Sequence, residues 1–164
     1  MKQEILRFEN VTCKKDGAVY LDNFSFYMTT GEIVGMLSVN DRGIKELIEL
    51  TEKNHPIDAG RVYVDGKLVN SYLNQEETSN RIYQIDQKSS LISDLSIADN
   101  LFVMRPGFKK HMINEWVLRE QAARVFKQLS MELDLNKRVE RLTTMERIMV
   151  EIAKAYLMGS KLLV

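Results

Sequence analysis

Ser38-Val39-Asn40-Asp41-Arg42-Gly43-Ile44-Lys45-Glu46 is the stretch where residue types and order come nearest to chemistry. It follows a run of apolar residues and leads into a segment with helical spacing, the setting in which a phosphate-binding loop is sought. Such a loop needs glycine so that backbone N–H groups can approach and cradle an anion. It also needs a lysine for the charge and a hydroxyl for magnesium. Taken by itself this stretch is a poor match. Arg42 and Lys45 are the cations that could reach a phosphate from another angle. Asp41 sits where a helix begins, and a carboxylate capping a helix N-terminus is worth roughly 1 kcal/mol. An Asp41 side chain in that place would occupy the anion position itself. Elsewhere the chemical residues are scattered. His55 and His111 stand apart in the sequence, which argues against a zinc site. Lys109-Lys110-His111 reads as a solvated loop rather than a nucleic-acid site.

The elements that must hold this loop can be read from pattern. Ile5, Phe8 and Val11 sit among polar neighbours in a strand-like opening, and Lys14-Lys15-Asp16-Gly17 reads as a solvated hairpin turn. Leu21, Phe24, Phe26 and Met28 alternate with polar residues over 19–28, as in a strand with one wet face. Ile33-Val34-Gly35-Met36-Leu37 is continuously apolar and predicts a central strand buried on both faces. Ile44, Leu47, Ile48 and Thr51 recur at helical intervals, with Lys45, Glu46, Glu49 and Glu52 between them. The stretch 61–69 reads as a second hairpin, with Asp65-Gly66 at its turn, and 81–85 as a short strand.

Residues 96–158 are rich in helical signals. A helix starts at Ser96-Ile97-Ala98-Asp99 and ends by Pro106-Gly107. Another spans Trp116 to Leu133, with Val117, Ala122, Val125, Phe126 and Leu129 on one face. Thr143-x-x-Glu146 is a capping box opening a helix that runs to about Tyr156. Lys161-Leu162-Leu163-Val164 begins one more buried strand. A β-rich opening, a strand–loop–helix unit, a helical block and a return to strand predict an α/β core sheet with a helical insertion.

The 164 residues suffice for one domain with a real core. The 45% hydrophobic and 28% charged fractions are those of an ordinary globular chain. Its 23 basic and 23 acidic side chains cancel, so no global field draws it to nucleic acid or an anionic membrane. Cys13 is the single cysteine, which fits a reducing cytoplasm. No apolar run approaches the roughly 20 residues that span a bilayer. A membrane, if one matters, must come with a partner.

Three stretches together carry a resemblance. Gln87-Lys88-Ser89-Ser90-Leu91-Ile92-Ser93-Asp94-Leu95-Ser96-Ile97-Ala98-Asp99-Asn100-Leu101-Phe102 resembles the glutamine loop of ATP-binding-cassette (ABC) ATPases, the sugar- and ribose-importer branch in particular. Leu142-Thr143-Thr144-Met145-Glu146-Arg147-Ile148-Met149-Val150-Glu151-Ile152-Ala153-Lys154-Ala155 is similar to that branch's signature motif and the helix after it. Leu21-Asp22-Asn23-Phe24-Ser25-Phe26 with Gly31-Glu32-Ile33 is similar to its opening hairpin. The likeness runs in order from about Ile5 to Val164. It implies an α/β fold: a P-loop NTPase-like ABC ATPase core with an antiparallel β subdomain and a helical subdomain insertion. The implied division is 1–86 for the core with its β subdomain, 87–141 for the glutamine loop and helical subdomain, and 142–164 for the signature-like helix and the return to the core.

Site roles carry over only where residues match. The family loop reads G-E-N-G-A-G-K-S-T, so Asn40 and Gly43 match and the other seven positions do not. Ile44 stands where the phosphate-gripping lysine belongs, and Lys45 where the magnesium-ligating hydroxyl belongs. A shift of one residue does not repair this, because neighbours on a helix point about 100° apart. Lys15 aligns near the aromatic that stacks on adenine, Met145 takes the signature glycine and Glu146 its glutamine. The plain reading of the last two is a helix cap with Met145 as packing. Gln87 is kept, and the resemblance gives it magnesium contact and a hinge to the helical subdomain. The family's acidic pair, which holds magnesium and activates water, would start two positions past Val164. The nucleotide-binding candidates are therefore Asn40, Arg42, Gly43, Lys45 and Gln87, with no catalytic residue and no metal ligand set.

The resemblance implies ATP and Mg2+ as cofactors, weak or lost in this chain. It implies a second ABC ATPase domain and a transmembrane permease subunit as partners, no nucleic acid, and a cytoplasmic place at the inner face of the plasma membrane. Two functions fit: a non-catalytic ATP-binding-type subunit of a sugar importer, or a regulatory module that reuses the scaffold. An active ATPase would need Arg42 or Lys45 to substitute and the acidic pair to be supplied downstream.

Overall fold

The structure, a computed structural model, describes residues 3–37, 43–51, 57–69, 82–86, 89–103 and 115–164. The chain divides into two compact units, Met1–Tyr83 with Val164, and Gln84–Leu163. Among the described residues no helix is long and apolar enough to cross a membrane.

In the first unit, β1 (Glu4–Lys15) and β2 (Ala18–Thr29) form a long antiparallel hairpin. Its turn holds Asp16 at φ 51° and Gly17 at φ 77°, the paired positive values that a two-residue hairpin turn requires and Asp-Gly supplies. β1 also pairs antiparallel with β3 (Ala59–Val64), which turns through Asp65-Gly66 into β4 (Lys67–Leu68). The sheet order is β2-β1-β3-β4. One face is the core: Phe8, Val11, Val62 and Val64 are buried, and Phe24 of β2 meets Phe8 edge-on at 5.8 Å. At the β1–β3 crossing, Gly60 has φ +89°, and a Cβ there would lie 2.4 Å from the Asn10 carbonyl oxygen. No other residue fits so close an approach at that φ. Helix α1 (Ile44–Thr51) packs on this sheet through Leu47 and Leu50.

The apolar run 33–37 departs from expectation. Residues 32–37 adopt no regular structure, and Ile33 and Leu37 are 98% and 100% exposed. An apolar run is buried only when layers exist on both sides to cover it. Among the described residues no strand lies beside 33–37. β5 (Ile82–Tyr83) completes this unit.

The second unit is helical, with α2 (Ile97–Phe102), α3 (Glu115–Gln128) and α4 (Thr144–Leu157), a 3-10 turn at Val139–Arg141 and β6 (Leu162–Leu163). Ile97, Leu101 and Phe102 of α2, Ala122 and Phe126 of α3, and Val150 and Ala153 of α4 form its core. Ser96 caps α2 by accepting the Asp99 N–H at 3.1 Å, as the sequence predicts. The helix predicted from Trp116 to Leu133 stops at Gln128, because Ser130 takes φ 53° and turns the chain out. Of its predicted apolar face, Ala122, Val125 and Phe126 are buried, whereas Val117 is exposed. In the last strand Leu162 is buried, but Leu163 and Val164 are 45% and 36% exposed. That segment is thus less covered than its composition suggests.

Candidate functional site

Gly43 opens α1. Its carbonyl accepts the Leu47 N–H at 2.8 Å, and its φ of +89° places its Cα 's missing Cβ 2.9 Å from the Tyr20 carbonyl oxygen. A glycine is required here for the close approach to β2 as well as for the φ. The first amides of a helix carry no internal partner and attract anions. In this chain the anion is internal: the Gly43 N–H donates to Glu46 Oε2 at 3.1 Å. Glu46 is 6% exposed, although its place among the polar residues of the pattern suggested an outward side chain.

Glu46, which the sequence pattern does not single out, meets this amide, and the expectation for Asp41 falls outside the described residues. The signal was present, because a glutamate three residues after the cap is the returning half of a capping box. It passed unnoticed because Gly43 has no side chain to form the other half. Asp41, Asn40, Arg42 and Gln87 lie outside the described residues. Of the five predicted binding residues the structure thus places two. Gly43 is at the helix start, and Lys45 points outward with 77% of its side chain exposed, paired with Glu49 at 3.6 Å.

A groove of about 410 Å³ lies beside this helix start, walled by Phe24, Phe26, Val34, Met36, Ile44 and Leu47. No lysine, arginine or carboxylate lines it among the described residues. Ile44, which the resemblance sets at the position of the family's lysine, contributes carbon to that wall. With Tyr20, Gly35 and Gly43 also on its wall the groove is mainly apolar, and its described side chains offer phosphate oxygens no charged partner. Cys13 is buried in the same unit, and burial first, then the nearby Asp58 charge, pushes its thiol pKa up. It stays protonated and inert.

The start of α4 repeats the arrangement within the other unit. Thr143 Oγ1 accepts the Glu146 N–H at 3.2 Å, and Glu146 Oε2 accepts the Thr143 N–H at 2.7 Å. This is the capping box predicted from sequence. Lys137 Nζ adds an ion pair to Glu146 Oε1 at 2.7 Å. The Lys137 hydrogen bond, and next the Thr143 amide, hold the Glu146 carboxyl at about 2, against the usual 4.5. Met145, expected as packing, is 67% exposed instead. As the second residue of the helix it follows the cap onto the open side of the turn. Lys14 and Lys15 are exposed at the hairpin end, as read from sequence.

The ABC transporter family matches residues 21–164 of this chain. A ribose import ATP-binding protein of Caldanaerobacter subterraneus subsp. tengcongensis is 28% identical over 163 residues, covering 99% of this chain and 33% of that protein. A galactose/methyl galactoside import ATP-binding protein of Fusobacterium nucleatum is 26% identical over 160 residues, 98% of this chain and 32% of its own length. The chain thus spans about a third of the curated relatives it matches. Among solved structures, cbiO1 of Clostridium perfringens, part of an ABC transporter complex, superposes with a TM-score of 0.82 at 21% identity. That match covers 99% of this chain and 64% of that one. An ATP-binding cassette of an ABC transporter in its ADP conformation gives 0.77 at 22% identity, over 98% and 67% of the two chains. The fold is that of the ABC ATPase cassette, mixed α/β with an antiparallel sheet and several helices. With that fold, that family match and sugar-import ATP-binding proteins as its relatives, the chain belongs to the ABC transporter family.

Proposed function

We propose that this chain serves a sugar-type ABC importer as a non-catalytic counterpart of an ATP-binding subunit, neither binding Mg2+-ATP tightly nor hydrolysing it. The observation that carries this reading is the Gly43 amide engaged by the Glu46 carboxylate, with apolar Ile44 beside it. A phosphate arriving there would meet a buried negative charge and a carbon wall, and like charges at hydrogen-bond range repel strongly in a low-dielectric site. On this reading ATP and Mg2+ are the family's cofactors and not this chain's. A second ABC ATPase domain supplies competent sites, a transmembrane permease subunit is the other partner, and the chain works in the cytoplasm at the membrane's inner face. The division into 1–86, 87–141 and 142–164 assigns the partner contacts to the middle part, with Gln87 as its hinge.

Isothermal titration of the protein with Mg2+-ATP tests the central point. We expect only heats of dilution at ATP concentrations up to about 1 mM, the weak end of specific binding. A saturating isotherm with micromolar Kd would overturn the proposal.

A further inference from the structure

Ser89, half-buried, and Ser90, exposed, are fastened by buried charged side chains of α4, away from the start of α1. Glu151, midway along α4, is 2% exposed. A carboxylate so placed has to be met by donors. Its Oε1 accepts the Ser89 hydroxyl at 2.8 Å and the Ser90 backbone N–H at 2.8 Å. The Ser90 hydroxyl lies 3.2 Å from Oε1 and 3.1 Å from Oε2, so its single proton is shared between the two oxygens. Lys154, one turn along the same helix and 4% exposed, brings Nζ to 3.4 Å from the Ser90 oxygen. That oxygen therefore accepts from a cation while donating to an anion.

Two residues further on, a second buried side chain takes over. Asn100 of α2, fully buried, accepts the Ile92 N–H at 2.7 Å and donates to the Ile92 carbonyl at 3.0 Å. From Ser89 to Ile92 the backbone is thus pinned from α4 at one end and from α2 at the other. A loop needing only to pass over the surface would have its amides met by water. A buried carboxylate 61 residues from Ser90 and 62 from Ser89, with a buried lysine 64 residues from Ser90, indicates a segment whose position is specified.

We propose that Glu151, Lys154 and Ser90 form a latch that makes the segment beginning at Ser89 move as one body with α4. The latch couples the helix following the Thr143 cap to the stretch that starts two residues after Gln87. Glu151 is its positioning residue. It requires no nucleotide, and it stands whether or not ATP binds.

Residue-resolved amide hydrogen exchange on the whole chain tests this, comparing wild type with Glu151→Gln and Ser90→Ala, each checked by circular dichroism. In Glu151→Gln the Ser90 and Leu91 amides should exchange about tenfold faster, while Val150–Ala155 in α4 keep their rates, the signature of local opening. Unchanged exchange at 90–91 would overturn the latch. Uniform acceleration through α4 would overturn it as well, since Glu151 would then serve only general stability. Should Glu151→Gln fail to fold, Ser90→Ala decides on the same two readings, taken at residues 91–92.

Discussion

Glu146 shows how one side chain sets the pH behaviour of a helix. Its carboxyl is held at about 2, first by the Lys137 hydrogen bond and then by the Thr143 amide. Because the folded pKa lies below the unfolded value of about 4.5, its stabilisation is complete above that value and is lost as pH falls toward 2. Acid unfolding followed by circular dichroism should therefore show a slope between pH 4.5 and 2 that is shallower in Glu146→Gln than in wild type. Equal slopes would show that the ion pair does not persist in solution. The same residue class explains what sequence reading missed. At Thr143 the box announced itself by a hydroxyl and a glutamate at fixed spacing. At Gly43 only the glutamate remains, so Glu46 reads as a solvated residue of α1.

Among the elements, the hairpins were the most legible, because Asp-Gly both selects the turn and sets the pairing on either side. The caps of α2 and α4 were equally plain. Helix ends without such chemistry were not: nothing in the apolar face of α3 signals that Ser130 leaves the helix. The close crossing of β1 and β3 was also invisible in the sequence, since Gly60 reads as a simple breaker. Gly60→Ala should destabilise the protein by roughly 2 kcal/mol or more in urea titration, combining the left-handed φ with a Cβ driven into backbone oxygens. Gly17→Ala, with similar φ and open space around it, should cost about 1 kcal/mol, from backbone conformation alone. Equal effects would place the strain in φ and not in the crossing.

For the molecule as a whole, family and fold were legible because ordered stretches from the hairpin to the capped helix had to agree with one architecture. The exposure of 33–37 was not, since a run's own composition cannot show whether neighbours exist to cover it. Ile33 and Leu37 consequently face water almost entirely, with Val34 and Met36 partly open between them. Such a ribbon acts as an adhesive, and its cost falls on colloidal behaviour more than on the folding of either unit. An apolar dye such as ANS should brighten on the native protein, and light scattering should rise with protein concentration. Ile33→Lys with Leu37→Glu should abolish both while leaving the melting curve in place. The segment thus makes solubility, and with it the choice of company the polypeptide keeps, a matter of five residues.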